Sequence, residues 1–122
     1  MTDRVFTADA ANAELEDLRT LLPRLREARR RLVKASTRIT DAVASDGGGV
    51  AGTDWFDAQL ELKADVQQLA KAGILLRDPE KGLVDFPAER DGRRVFLCWQ
   101  LGEDEVSFFH EETNGFSSRK PW

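Results

Sequence analysis

The chain has 122 residues, of which 41% are hydrophobic and 33% are charged, and its formal net charge is −4. This length and composition favour one globular domain and exclude a disordered tail, while the negative charge opposes general attraction to nucleic acid or anionic lipid. The lone cysteine, Cys98, excludes an intramolecular disulfide, and without a signal peptide or an apolar span of roughly 20 residues we expect a cytoplasmic protein.

A long amphipathic helix is predicted over residues 7–45. Thr7 can cap its first turn, and apolar side chains then follow in steps of three and four residues: Leu15, Leu18, Leu22, Leu25, Leu32, Ile39 and Val43. Pro23 falls inside this stripe, and a proline costs about 3 kcal/mol within a helix. Because the stripe keeps its phase across Pro23, we expect one kinked helix. It would be about 55 Å long, so part of it should project and require a partner.

A glycine-rich connector and a second helix come next in the chain. Residues 46–52 contain four glycines and predict a flexible connector. Thr53 is placed to cap a helix over 53–72, with Val66 and Leu69 on its buried face, and Gly73 supplies a C-terminal stop. The two helices should therefore form an antiparallel hairpin.

Residues 73–111 have the pattern of a β-meander. Short β-like runs at 74–77, 83–86, 93–101 and 105–110 are separated by turns, the clearest being Asp91-Gly92. A tail follows at 112–122. The predicted fold is α+β: an N-terminal antiparallel helical hairpin packs on a C-terminal four-stranded antiparallel β-meander, and a single domain spans residues 1–122.

Both faces of the predicted sheet carry apolar side chains. In the third strand Val95 and Leu97 share one face, and Phe96 and Cys98 share the other. In the fourth strand Val106, Phe108 and His110 share one face, whereas Phe109 lies on the other. If the helices cover one face, Phe96, Cys98 and Phe109 need shelter on the other face, from the tail or from a second subunit.

The second half of the chain contains a series of short motifs. They are Gly82 to Pro87, Arg90 with Gly92 and Arg93, Leu97 to Trp99, Gly102 with Glu103, His110, Gly115 with Phe116, and Arg119 with Pro121. This series resembles the bacterial family known as domain of unknown function 2203, closely over residues 73–122 and more loosely at the N-terminus. The chain departs from the family pattern at Phe109, where a tryptophan is usual. No activity is established for that family, so the resemblance implies little about function.

A metal site around His110 is one candidate for chemistry. His110 is the only histidine, and Glu103 and Glu111 lie near it in the sequence. One imidazole and two carboxylates could hold a hard or borderline divalent cation, although no cofactor is required by the pattern. The simpler interpretation, which we favour, is a structural histidine that is hydrogen-bonded at the edge of the sheet.

A second candidate set could bind an anionic ligand. It consists of Asp85, Arg90, Arg93, Trp99 and Arg119. Paired arginines near a turn can bind a carboxylate or phosphate with two parallel hydrogen bonds. We favour a structural alternative, in which Asp85 bonds one of these arginines and fixes the tail on the sheet. Cys98 is interpreted as a buried, unreactive thiol.

A basic run in the first helix raises the question of nucleic-acid binding. Its members are Arg24, Arg26, Arg29, Arg30, Arg31, Lys34 and Arg38. They scatter around the helix and lack interleaved aromatic residues, so we interpret them as a solvated face, with Arg29 available for a bond across an interface.

Two functional hypotheses follow from these patterns. We favour a non-enzymatic module that self-associates, with a homodimer formed through the helices or the second face of the sheet. The alternative is a protein that binds a small ligand or a metal, and that could be an enzyme, with His110 and Glu103 as donors and Arg90 or Arg119 binding an anion.

Overall fold

Helices precede a five-stranded antiparallel sheet in the computed structural model, which describes residues 4–43 and 49–122. The elements are α1 (Ala8–Ala13), α2 (Leu15–Val43), α3 (Gly49–Ala72), β1 (Leu75–Asp78), β2 (Leu83–Arg90), β3 (Arg93–Gln100), β4 (Phe108–Glu111), a 3-10 turn (Phe116–Ser118) and β5 (Lys120–Pro121). The sheet order is β1-β2-β3-β4-β5, so each strand pairs with its neighbours in the chain. The predicted α+β class and meander topology are confirmed.

The first predicted helix consists of two helices. Thr7 caps α1 as expected, because its side-chain oxygen accepts a hydrogen bond of 3.0 Å from the amide of Ala10. At Glu14 the backbone angles stay helical, but its amide donates to the carbonyl of Ala11, three residues back, and the regular helix resumes in α2. Pro23 lies within α2, which continues through it without a break. The last residues of the predicted range, 44 and 45, lie outside the described part of the chain.

The second helix begins earlier than predicted. It starts at Gly49, so residues 49–52 are helical, and Thr53 lies inside α3 instead of capping it. A glycine lowers helix stability by about 1 kcal/mol without forbidding the helix, and packing against α2 can offset that cost. The remaining connector residues, 46–48, lie outside the described residues. Gly73 ends α3 with a positive φ of 80°, as the sequence predicted.

Ion pairs along α2 and α3 show that the helices run antiparallel. As the residue number rises along α2, the partner's number falls along α3: the pairs are Arg24 with Asp65, Arg31 with Glu61, and Arg38 with Asp54. Near the sheet, Arg29 and Arg30 pair with Glu80 in the turn after β1. Part of the basic run therefore pairs with carboxylates of this chain, although the paired arginines stay between 42% and 55% exposed.

The sheet has one strand more than predicted, and β4 is shorter. Part of the predicted tail forms β5, which pairs Lys120 and Pro121 with β4. The predicted strand at 105–110 is replaced by β4 at Phe108–Glu111, because the amide of Val106 donates to the side-chain oxygen of Asn12 at 2.7 Å. This bond to α1 keeps the start of the run out of the sheet.

The register of β3 and β4 corrects one expectation about the faces. Leu97 pairs with Phe109, whereas Cys98 pairs with Phe108. Phe109 therefore belongs to the buried core on the helix side, and His110 lies on the same outer face as Cys98. Alternation counted from Val106 predicts the outer face for Phe109, but residues 106 and 107 lie outside β4, and both Val106 and Phe109 belong to the core.

The core lies between α1, α2, the end of α3 and the inner face of the sheet. It includes Leu15, Leu18, Leu22 and Leu25 of the predicted stripe, together with Phe6, Phe86, Leu97 and Trp99. These leucines are covered by this chain's own sheet, so they need no partner. Within the described ranges, none of the helices combines the length and apolarity required to cross a bilayer.

The bond between Arg24 and Asp65 should contribute to the stability of the hairpin. Asp65 is buried, and its two oxygens accept hydrogen bonds of 3.1 and 2.8 Å from Arg24. We expect Arg24→Met to destabilise the protein by roughly 1–3 kcal/mol, because it leaves a buried carboxylate without a partner. Urea unfolding followed by circular dichroism measures this change.

Arg31→Met is the matched control, since Arg31 pairs with Glu61 in an exposed setting. Its cost should be much smaller. Equal losses in the two variants would contradict a special role for the Arg24 bond.

Candidate functional site

The β2–β3 hairpin places an acid opposite a thiol on the outer face of the sheet. Its two-residue turn has positive φ at Asp91 and Gly92, as a tight hairpin turn requires, and it sets the register that pairs Asp85 with Cys98. Strand β4 then adds His110 beside them, because His110 pairs with Phe96. Three side chains capable of binding a metal therefore meet on adjacent strands.

The three donor groups are close together and almost completely buried. One donor atom from each of Asp85, Cys98 and His110 lies within 4.8 Å of the other two. The exposed fractions of these residues are 2%, 1% and 3%. Such burial of polar groups costs free energy unless they bind each other or a ligand.

Hydrogen bonds define the tautomer of His110. Its Nδ1 lies 2.9 Å from the carbonyl oxygen of Glu111, and because that oxygen can only accept, Nδ1 carries a proton. Its Nε2 lies 2.9 Å from Oδ2 of Asp85. The two atoms share a proton in this hydrogen bond, which joins His110 to Asp85. Loss of the Nε2 proton would direct a lone pair into the cluster.

Asp85 has one oxygen that is crowded and one that is unpaired. Its Oδ2 accepts from His110 and also from Nε of Arg77 at 2.7 Å. Its Oδ1 is buried and has no hydrogen-bond partner among the described residues. Leaving a buried acceptor unpaired typically costs about 1–3 kcal/mol, so a ligand at this oxygen would relieve a real penalty.

Cys98 is a neutral thiol in this environment. Burial, together with the Asp85 carboxylate, raises its pKa to about 12, although the Arg119 guanidinium acts in the opposite direction. A thiol with this pKa is protonated near neutral pH and is a poor nucleophile. Its sulfur remains available to a metal ion that can displace the proton.

A cavity of about 290 Å³ adjoins the three donors. Its walls are formed by Arg77, Leu83, Asp85, Cys98, His110, Glu112, Asn114, Gly115 and Phe116. The segment after β4 contributes the last four of these residues, so the tail that was expected to shelter the outer face forms one wall of a cavity there. A small molecule entering it would meet all three donor groups.

The comparison with known families agrees with the motifs in the sequence. Residues 4–122 match the family described as "Uncharacterized conserved protein (DUF2203)". The chain belongs to this family. Neither the curated proteins nor the solved structures contain a significant match to the chain. The family description states no activity, so the function of this DUF2203 protein has to be inferred from the site.

Two carboxylates that were predicted as metal donors lie apart from the cluster. Glu103 accepts two hydrogen bonds from Arg119, at 3.0 and 2.5 Å, and one from the amide of Gln100. Burial alone would raise the pKa of Glu103, but these hydrogen bonds outweigh it and hold the pKa below its usual value. The Glu111 carboxylate faces Arg93 and Lys120. The structure does not bring either carboxylate to His110.

The predicted ligand-binding set is also divided by the structure. Asp85 is at the centre of the cluster, and Arg119 is next to it, held by Glu103 between the rings of Phe108 and Phe116. The other three predicted residues lie elsewhere. Arg90 stacks on Phe109 and Trp122, Arg93 is at the exposed end of β3, and Trp99 is buried in the core on the inner face.

Sequence reasoning missed two members of the site. Cys98 was interpreted as inert, yet the Asp91-Gly92 turn was recognised, and counting back from it pairs residue 85 with residue 98. Arg77 lies in a predicted strand, but its contact with Asp85 depends on an irregularity in the pairing between Leu76 and Asp78. No local pattern in the sequence gives the position of that irregularity.

The state of Cys98 can be tested by alkylation. We expect iodoacetamide to modify Cys98 far more slowly in the native protein than in urea, because the side chain is buried and the pKa of the thiol is about 12. Mass spectrometry of quenched samples gives both rates. Equal rates in the native and unfolded states would show that the thiol is exposed or ionised.

Proposed function

We propose that this DUF2203 protein binds a divalent transition-metal ion through Asp85, Cys98 and His110. The single observation that supports this most is the convergence of three buried donor groups, one of which has an oxygen without a partner. Groups of this kind are usually kept apart or fully hydrogen-bonded in a protein interior. A bound cation would give Asp85 its missing partner.

The donor set matches the chemistry of zinc and cobalt. It combines a thiolate, an imidazole nitrogen and a carboxylate oxygen, a mixture that suits borderline divalent ions better than magnesium or calcium. Three protein ligands leave a fourth tetrahedral position vacant, which is the arrangement of reactive zinc sites rather than structural ones. The cavity beside the cluster would receive that fourth position.

Groups around the cluster resemble the outer shell of known metal sites. Metal-binding histidines usually donate their second N–H to a carbonyl or carboxylate, and here Nδ1 of His110 donates to the carbonyl of Glu111. Arg119 lies near Cys98 and favours the thiolate, while Glu103 fixes the guanidinium. The bond from Nδ1 to the Glu111 carbonyl leaves Nε2 of His110 facing Asp85.

Metal binding would exchange protons for the cation. Cys98 would lose its thiol proton, and Nε2 of His110 would exchange its hydrogen bond with Asp85 for the cation. The hydrogen bond between His110 and Asp85 thus joins two of the donors when no metal is bound. A reduced thiol is necessary, which is consistent with the expected location of the protein in the cytoplasm.

Cobalt binding provides the test of this site. We expect one equivalent of Co²⁺ to bind the untagged, metal-free protein and to produce a thiolate-to-cobalt absorption band, which Zn²⁺ then removes by displacement. Cys98→Ala should abolish the band, and His110→Gln should weaken binding at least tenfold, as roughly 10–100-fold losses accompany even outer-shell changes. Visible absorption spectroscopy measures both effects.

Glu111→Gln is the control for this titration, because it removes a neighbouring carboxylate that lies outside the cluster. It should leave cobalt binding unchanged. Lack of a transition at one equivalent, or an undiminished band in Cys98→Ala, would rule out the site.

Self-association is a second candidate function, favoured by an apolar groove beside β1. The groove has a volume of about 400 Å³ and is lined by Val66, Leu69, Ala70, Gly73, Ile74, Leu75, Leu76 and Pro87. Val66, which was predicted to be buried, is 43% exposed, and Leu75 is 38% exposed. Among the described strands β1 pairs only with β2, so its outer edge could pair with β1 of a second copy about a two-fold axis.

The dimer hypothesis is tested by light scattering at micromolar concentration. We expect the mass of a dimer for the unmodified protein and a shift towards monomer for Val66→Lys, which places a charge in the groove. Val33→Lys is the control, because Val33 is similarly exposed but lies on α2, outside the groove. A monomeric mass for the unmodified protein would contradict this function.

A further inference from the structure

We infer that the cavity beside the cluster binds a small ligand with a carboxylate group, which bonds the metal at its vacant position and Arg77 at the same time. This inference rests on the metal site proposed above. It identifies the class of ligand from the groups that line the cavity.

Arg77 has hydrogen-bonding capacity that the protein does not use. Only Nε is occupied, by Asp85 at 2.7 Å, and neither terminal nitrogen has a hydrogen-bond partner among the described residues. The side chain is 44% exposed and lines the cavity. A guanidinium with unoccupied terminal N–H groups is suited to binding a planar carboxylate.

The position of Arg77 is fixed before a ligand arrives. Its guanidinium carbon lies 5.0 Å from the centre of the Phe96 ring, and its Nε is bonded to Asp85. Stacking on one side and a charged hydrogen bond at Nε limit the rotation of this long side chain. A ligand would therefore lose little free energy in ordering it.

The charges around the cavity favour a monoanion. The Cys98 thiolate and the Asp85 carboxylate would balance a divalent cation, and no other carboxylate of the described residues lies within ion-pair distance of Arg77. Glu112 also lines the cavity and is exposed. Its negative charge opposes dianions more strongly than monoanions, so a carboxylate is favoured over phosphate.

The size and walls of the cavity limit the rest of the ligand. Its volume of about 290 Å³ lies just below the usual range for ligand sites, roughly 300–1,000 Å³, so the ligand has few non-hydrogen atoms. Asn114 offers an amide that can bond a hydroxyl or carbonyl group, and Phe116 offers an apolar surface. A short carboxylic acid with one further polar group suits these walls.

The experiment uses acetate as a probe of the cobalt-loaded protein. We expect acetate to change the visible spectrum of bound Co²⁺ with saturation, and phosphate to compete more weakly. Arg77→Gln should weaken acetate binding at least tenfold, whereas Arg94→Gln, an equal change of charge at an exposed position outside the cavity, should leave it unchanged.

Separate measurements distinguish the two levels of failure. If cobalt does not bind the unmodified protein, the proposed metal site itself is contradicted. Normal cobalt binding with no saturable response to acetate, or with equal acetate affinity in Arg77→Gln, overturns the ligand inference alone, and so does tighter binding of phosphate.

Arg77→Lys provides a second variant, because Arg77 also bonds Asp85 and its loss could affect folding. Lysine keeps the charge but lacks the planar pair of N–H donors. We expect an acetate affinity between those of the unmodified protein and Arg77→Gln, and cobalt titration of each variant checks that the metal site is intact. An affinity equal to that of the unmodified protein would show that paired hydrogen bonds from Arg77 are not used.

Discussion

A buried carboxylate links the strands of the outer face. Asp85 of β2 accepts from Arg77 of β1 and from His110 of β4, and it lies opposite Cys98 of β3. Moving an ion from water to a protein interior costs several kcal/mol, and a buried ion pair often stabilises a fold less than an apolar replacement would. A gain in fold stability alone therefore does not explain these buried contacts. The unpaired oxygen of Asp85 adds a further free-energy cost to the fold.

The two faces of the sheet have different roles. The inner face is apolar, and Phe86, Leu97 and Trp99 pack there against the helices. On the outer face the alternate residues of the same strands carry an acid, a thiol and an imidazole. One register fixes both faces, because side chains alternate along a strand. The tight packing of the inner face therefore also determines the positions of the donors on the outer face.

The predictable parts of the structure are those determined by local patterns. The leucine stripe predicted that the helix continues through Pro23, and Gly73 predicted the end of α3. Both signals are local, because periodicity and backbone preference are properties of neighbouring residues. The Asp91-Gly92 turn likewise determines that Asp85 pairs with Cys98, because the two strands pair residue by residue from the turn. The shift at β4 was not predictable, because it depends on a bond from Val106 to a residue of α1, 94 positions away.

The candidate site illustrates the same limit in its chemistry. Sequence proximity suggested Glu103 and Glu111 as companions of His110, but in a meander the groups that converge come from paired strands and not from adjacent positions. Glu103 is instead used to hold Arg119 beside Cys98. The high pKa of the thiol, which argues against a nucleophile, is compatible with a metal ligand, because a cation can replace the proton that burial retains. Burial would thus protect the Cys98 thiol from other reactions, while a cation that reaches the cavity could still bind its sulfur.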